Sequence, residues 1–79
     1  MGEHIVKSFD DDLTAVRAKI SEMGGLAEEL LSGALQSVQD RNQEQAEETI
    51  RLDKRLDALE MEVEEMTTRI IALRQPMAQ

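Results

Sequence analysis

Four carboxylate side chains recur in the second half of the sequence at intervals of four, three and four residues. They are Asp53, Asp57, Glu60 and Glu64, called the acidic row below, and no Lys or Arg falls on the same line of a helical wheel. With about 100° between successive residues, all four lie within about 40° of one another. Asp and Glu oxygens are the ligands that hard cations such as Mg²⁺, Mn²⁺ or Fe³⁺ prefer. The spacing therefore predicts a metal site, and the alternative is an ordinary solvated acidic face.

Apolar residues border the acidic row, with Ala46 and Ile50 before it and Ile71 after it. A second helix packed there would remove water from mutually repelling carboxylates, and a bound cation would relieve that cost. Two carboxylates fill few coordination positions, so other helices or water must supply the remaining ligands. The Glu-x-x-His motif of di-iron bundles is absent from the sequence. His4 lies near the terminus and is not expected to bind the metal.

The composition excludes several classes of function. The 79 residues include 9 Lys and Arg against 17 Asp and Glu, which gives a formal net charge of −8. Nucleic acids and anionic lipids are themselves negative and are poor partners, whereas cations and basic protein surfaces are better ones. With one His, no Cys and no Gly-rich phosphate loop, the protein is not expected to be an enzyme. The sequence has no apolar run of about 18 residues and no signal peptide, which favours a cytoplasmic location.

The first half of the sequence predicts a helix over about residues 8–40, because apolar residues recur there at intervals of four and three. Ser8 is the expected N-cap. Gly24 and Gly25, which each cost about 1 kcal/mol relative to Ala inside a helix, are expected to mark a kink or a close helix crossing. A break into two helices is the alternative, which the unbroken apolar spacing disfavours. The apolar stripe consists of Phe9, Leu13, Val16, Ile20, Met23, Ala27, Leu30 and Ala34, widened by Leu26, Leu31, Leu35 and Val38.

The second half predicts a helix over about residues 43–74, preceded by Asn42 and Gln45 as a capping box. Its stripe consists of Leu52, Leu56, Leu59, Val63, Met66, Ile70 and Leu73. Because the connector between the two stripes is short, we expect an all-α fold in which two long helices form an antiparallel hairpin.

The residues that follow the second stripe predict a third helix. Pro76 suits the first position of a helix, so a third helix is expected to begin at residue 76. Without that helix, each of the two long helices has an uncovered apolar side. We therefore expect the hairpin to pair with a second copy, as a four-helix bundle or a domain-swapped dimer.

Three short segments carry a resemblance that extends from His4 to Gln79. They read Ser21-Glu22-Met23-Gly24, Leu52-Asp53-Lys54-Arg55-Leu56-Asp57 and Gln75-Pro76. In this order and at this spacing they resemble the N-terminal repeat of PhoU, a family of bacterial phosphate-signalling regulators. The resemblance implies that residues 1–79 are a partial repeat, the first two helices of a three-helix bundle in a protein that holds two such bundles.

The resemblance also implies a function. Family members are cytoplasmic, non-enzymatic negative regulators between the high-affinity phosphate ABC transporter and the phosphate-sensing histidine kinase, and they reach the membrane through those partners. The family carries a Glu/Asp-x-x-x-Asp motif that binds clusters of iron or zinc, with magnesium or manganese also proposed. Asp53 and Asp57 match that motif, whose companion lies on the family's third helix. Glu60 and Glu64 are added by helical geometry alone.

Two other interpretations stay open. A plain structural coiled coil that serves as an oligomerisation segment without a ligand explains the two stripes equally well. It does not explain an acidic row free of basic residues beside Ile50 and Ile71. A metal-dependent enzyme would need a general base or a nucleophile beside the carboxylates, and the sequence offers neither.

Overall fold

The chain folds as two long antiparallel helices in a computed structural model, which describes residues 2–74 apart from the side chains of Glu3 and Ile5. Helix α1 spans Gly2–Asp40 and helix α2 spans Gln43–Arg74. Together they form a rod of 59 × 22 × 13 Å, and the described part of the chain contains no strand. The predicted all-α hairpin is confirmed. Neither described helix carries an apolar stretch that could cross a membrane.

The turn between the helices ends α1 with a Schellman motif. The amide of Arg41 donates to the carbonyl of Val38 at 3.3 Å, and the amide of Asn42 donates to the carbonyl of Ser37 at 3.0 Å. This motif needs a left-handed residue, and Arg41 supplies it with a φ of 50°. The Asn42 side chain caps α2 by accepting a bond from the Gln45 amide at 3.1 Å. The return bond of the predicted capping box is not formed, because Oε1 of Gln45 is buried without a partner among the described atoms.

Helix α1 begins at Gly2 and passes through Ser8, so the prediction that Ser8 is the N-cap is wrong. No Pro precedes Ser8 to stop the helix. The Ser8 hydroxyl instead accepts a hydrogen bond from Nη2 of Arg74 at 3.1 Å. The same guanidinium pairs with Asp12 at 3.1 Å and lies 5.6 Å from the ring centroid of Phe9. Ser8 thus helps to join the two helices at the open end of the hairpin.

The core is a single line of contact between the two stripes. Leu26 and Leu59 are the buried apolar residues among those described. Ser37 is buried in the last turn of α1, with its hydroxyl donating to the Ala34 carbonyl at 2.8 Å. Other contact residues are half-buried: Leu13, Val16, Met23 and Leu30 on α1, and Leu52, Leu56, Val63, Met66 and Ile70 on α2. The helix predicted from residue 76 lies outside the described residues. Two helices alone therefore leave much of each stripe partly open to water.

The close approach between the helices occurs at Gly33 and not at the glycine pair. Helix α1 continues through Gly24 and Gly25 without a break, and a Cβ built on either residue would meet nothing within 4 Å. The predicted kink or close crossing at that pair is therefore not found within the hairpin. A Cβ on Gly33 would lie 2.9 Å from Oγ1 of Thr49, whose hydroxyl donates to the Gln45 carbonyl at 2.9 Å. Gly33 lets α2 approach α1 next to the turn.

The left-handed conformation of Arg41 generates a first prediction. Replacing Arg41→Gly should raise the free energy of unfolding by about 0.5–1 kcal/mol, because a Cβ disfavours positive φ. Urea unfolding followed by circular dichroism measures the change. Asn42→Ala is the companion variant and should lower stability by about 1 kcal/mol through loss of the α2 cap. A loss of stability in Arg41→Gly would contradict this account of the turn.

The glycines generate a second prediction. Gly25→Ala should stabilise the hairpin by about 1 kcal/mol, because the added methyl group gains helix propensity and meets open space. Gly33→Ala should destabilise it by about 1 kcal/mol, because the methyl group displaces the Thr49 hydroxyl. The double variant Gly33→Ala/Thr49→Ala removes the clash and should recover the lost stability. Equal gains at Gly25 and Gly33 in urea unfolding would show that the close approach does not exist.

Candidate functional site

The acidic row lies along one face of α2, and its four side chains are all exposed. None of the four forms an ion pair with a basic residue between positions 2 and 74. The row extends over about 16 Å, since each helical residue advances by about 1.5 Å. Over the described chain, no three His, Asp or Glu side chains gather closely enough to hold a metal ion. The hairpin therefore presents these carboxylates as an uncompensated line and not as a cluster.

Of the three ion pairs that join the helices within residues 2–74, two lie on the opposite side of the hairpin, and the third joins Arg74 to Asp12 at its open end. Nζ of Lys19 is 3.3 Å from Oε2 of Glu62, and Nη2 of Arg55 is 3.2 Å from Oε2 of Glu22. Glu62 is two and a half helical turns beyond Asp53 in the sequence, which places it about 180° away around α2. Exposed pairs of this kind contribute at most about 1 kcal/mol each. We call this the ion-paired side of the hairpin and the other the acidic side.

Aliphatic residues of both helices lie on the acidic side. Ile71 lies about five full helical turns after Asp53 and so points in the same direction from α2. It shares a groove of about 510 Å³ with Leu13 and Val16 of α1. Leu31 lies about five full turns after Leu13 and points the same way, and its side chain is 69% exposed. The acidic row of α2 and an aliphatic strip of α1 therefore border the same side of the hairpin.

The exposed part of that strip, called the apolar face below, consists of Ile20, Leu31, Leu35 and Val38. These side chains are between 52% and 74% exposed, although their period assigns them to the apolar stripe of α1. They face water because α2 covers only the edge of the stripe that contains Leu26. Contiguous apolar patches of this kind usually mark contact surfaces. The acidic side thus combines an aliphatic surface with a line of negative charge.

Sequence reasoning missed two parts of this arrangement. It did not assign Arg74, whose guanidinium contacts Ser8, Asp12 and Phe9 and closes one end of the groove. The only signal was the antiparallel register, which brings the end of α2 next to the start of α1. It also did not separate buried from exposed stripe residues. The broadening of the α1 stripe in its second half was the available signal, since one neighbouring helix cannot cover so wide a face.

Comparison with known proteins identifies relatives over nearly the whole chain. A family model described as the PhoU domain matches residues 20–79. The chain is 48% identical, over 95% of its length, to the phosphate-specific transport system accessory protein PhoU homolog of Zymomonas mobilis. It is 40% identical over 99% of its length to the homolog of Caulobacter vibrioides, and 33% identical over 99% to the protein of Escherichia coli.

These relatives are longer than the chain. The matched regions cover 32% of the Zymomonas protein, 34% of the Caulobacter protein and 32% of the Escherichia protein, so the chain spans about a third of their length. Their names describe an accessory protein, in agreement with the prediction that the chain is not an enzyme. No solved structure matches the chain.

Proposed function

The chain belongs to the PhoU family, and from that membership we propose that it is part of a regulator of phosphate uptake and signalling. Its relatives are named accessory proteins of the phosphate-specific transport system. The proposed role is cytoplasmic negative regulation through protein contacts that link the phosphate ABC transporter to the phosphate-sensing histidine kinase. The observation that carries this proposal is the match of almost the whole hairpin to proteins of that system.

The acidic side supports a binding role. Its groups are aliphatic side chains and carboxylates, which suit contacts with helices and cations. Within residues 2–74, no three His, Asp or Glu side chains form a metal cluster on which hydrolytic chemistry could depend. The apolar face would lose its exposure to water on docking, which is the usual driving force for association. The expected pairing with a second copy stays a prediction, because a single chain does not test it.

The proposed function predicts an effect in cells. In the organism that encodes this chain, Leu35→Gln should raise a phosphate-starvation reporter at high phosphate, because it places an amide on the contact surface. Leu73→Gln is the matched control, since Leu73 is 64% exposed against 61% for Leu35 but points away from the acidic side. It should leave the reporter repressed. Full repression in Leu35→Gln, with normal protein abundance, would contradict a regulatory role for this surface.

We also propose that the acidic row contributes ligands to a metal ion, with Mg²⁺, Mn²⁺, iron or zinc as candidates. The donors are Asp53, Asp57, Glu60 and Glu64. They fit hard cations in type, because carboxylate oxygens at i and i+4 can share one ion. They do not fit in number, since the described residues gather fewer than three such ligands at any point. Water or another helix would complete the coordination, and the hairpin alone should bind weakly.

Calorimetric titration with Mn²⁺ tests the metal site. The hairpin should bind with a Kd on the order of 10⁻⁴–10⁻³ M, and Asp53→Asn/Asp57→Asn should abolish the heat. Glu47→Gln/Glu65→Gln is the control, because it removes the same charge from exposed positions of α2 outside the row. If both variants lose heat equally, the attraction is a general effect of net charge. Absence of heat in every protein would favour the alternative, a structural helical segment without a ligand.

A further inference from the structure

We propose that Arg41 keeps the chain folded back as a hairpin and prevents an exchange of helices between two copies. If residues 41 and 42 became helical, α1 and α2 would join into one straight helix, and α1 of one copy would pair with α2 of another. Such an exchange leaves the groove on the acidic side as it is, because it re-forms only the contact between α1 and α2. It is also independent of the phosphate role, since it concerns the turn alone.

Little in the sequence prevents a helix from continuing through the turn. Between Gly33 and Pro76 there is no other glycine or proline, and Arg has a high helix propensity. The interruption consists of Asn42 and of Arg41, whose φ of 50° is left-handed. That conformation costs free energy in any residue with a Cβ. The backbone hydrogen bonds of the turn would be replaced by ordinary helical ones, so hydrogen bonding does not decide between the two forms.

The register of the hairpin also permits an exchange. Gly33 and Thr49, which form the close approach, each lie eight residues from Arg41. Lys19 and Glu62, which form an ion pair, lie 22 and 21 residues from it. Because these contacts are arranged almost symmetrically about Arg41, two straight antiparallel helices that meet at this residue would re-form them between copies. The hairpin and the exchanged dimer therefore share one set of contacts and differ at the turn.

A straight helix would place Arg41 inside the contact between the two copies. On either side of the turn, Ser37 is buried and Gln45 is half-buried, and Arg41 lies four residues from each of them. Four residues advance by about 400°, so all three would lie within about 80° on one face of a straight helix. In the hairpin, by contrast, the Arg41 side chain is exposed. Straightening the turn would therefore move this side chain from water into the contact between two helices.

The symmetry of the exchanged dimer makes that position costly for a charged residue. Because the two helices meet at Arg41, the guanidinium groups of the two copies would face each other. Like charges that lose water repel each other strongly. Asp40 and Glu44 are the nearest carboxylates in the sequence, and a pair with either would still take both charges out of water. The left-handed Arg41 of the hairpin is the smaller cost, so the domain-swapped form of the expected dimer is disfavoured.

Substitutions of Arg41 test this role. Arg41→Leu removes the charge but keeps a Cβ and a high helix propensity, so the chain should shift from the hairpin to the exchanged dimer. Arg41→Ala is a second neutral variant and should shift it in the same direction. Arg41→Glu again places like charges opposite each other, so it should remain a hairpin. Arg69→Leu makes the same change in composition at an exposed position of α2, away from the turn, and should also remain a hairpin.

A pair of introduced cysteines reports which copy supplies each helix. The chain has no natural Cys. A Cβ on Gly33 would lie 2.9 Å from Oγ1 of Thr49, so Gly33→Cys/Thr49→Cys meets the distance that a disulfide needs. The bond forms within one chain in a hairpin, even when two hairpins associate side by side, whereas it joins two chains in the exchanged dimer. After oxidation and denaturation without reductant, wild type, Arg41→Glu and Arg69→Leu should be monomers, and Arg41→Leu and Arg41→Ala covalent dimers.

Small-angle X-ray scattering checks the exchange in the same variants without cysteines. The hairpin is 59 Å long, whereas a straight helix over residues 2–74 would be about 110 Å long. Arg41→Leu and Arg41→Ala should therefore approach twice the maximum dimension of wild type, which side-by-side association would leave nearly unchanged. The proposal is overturned if both neutral variants stay short with an internal disulfide, or if Arg41→Glu or Arg69→Leu lengthens as they do. A covalent dimer of the wild type would also overturn it, because Arg41 would then not keep the hairpin closed.

Discussion

Two helices that touch along one line can cover only a limited width of each other's surface, and this constraint governs the hairpin. The apolar stripe of α1 widens in its second half beyond what α2 can cover. The contact therefore buries Leu26 of α1 and Leu59 of α2, and it leaves most of the remaining stripe residues half-buried or exposed. The free energy available from this narrow contact is small. An additional helix, from whatever source, would bury the uncovered remainder of the stripe.

Charge then makes the two sides of the hairpin different. On one side, Lys19 and Arg55 reach across to Glu62 and Glu22. These pairs add little stability because they are exposed, but they engage Lys19 and Arg55 on that side of the hairpin. The acidic row has no comparable partner within residues 2–74. The side that has more apolar surface to cover is therefore also the side with unbalanced negative charge.

The all-α hairpin could be predicted because it depends on local information. Two stretches with a helical period, joined by a short connector, are compatible with few folds other than an antiparallel hairpin. The Asn42 side chain also caps α2 as its residue type suggests. The start of α1 could not be read from Ser8, since a capping residue shows where a helix can begin and not whether the preceding residues are helical. The place of close approach could not be predicted either. Gly24, Gly25 and Gly33 look alike in sequence, and only the packing of α2 shows which one a side chain would disturb.

The acidic row illustrates the same limit at the level of function. Helical geometry correctly places its four residues on one face of α2, because that placement depends only on the helix. Whether the row meets a cation or a basic side chain depends on what lies opposite it, which a helical wheel does not contain. The neighbouring surface provides the missing information. A cation would compensate the carboxylates and leave Leu31, Leu35 and Val38 in water, so only a further helix beside the row would cover these aliphatic side chains.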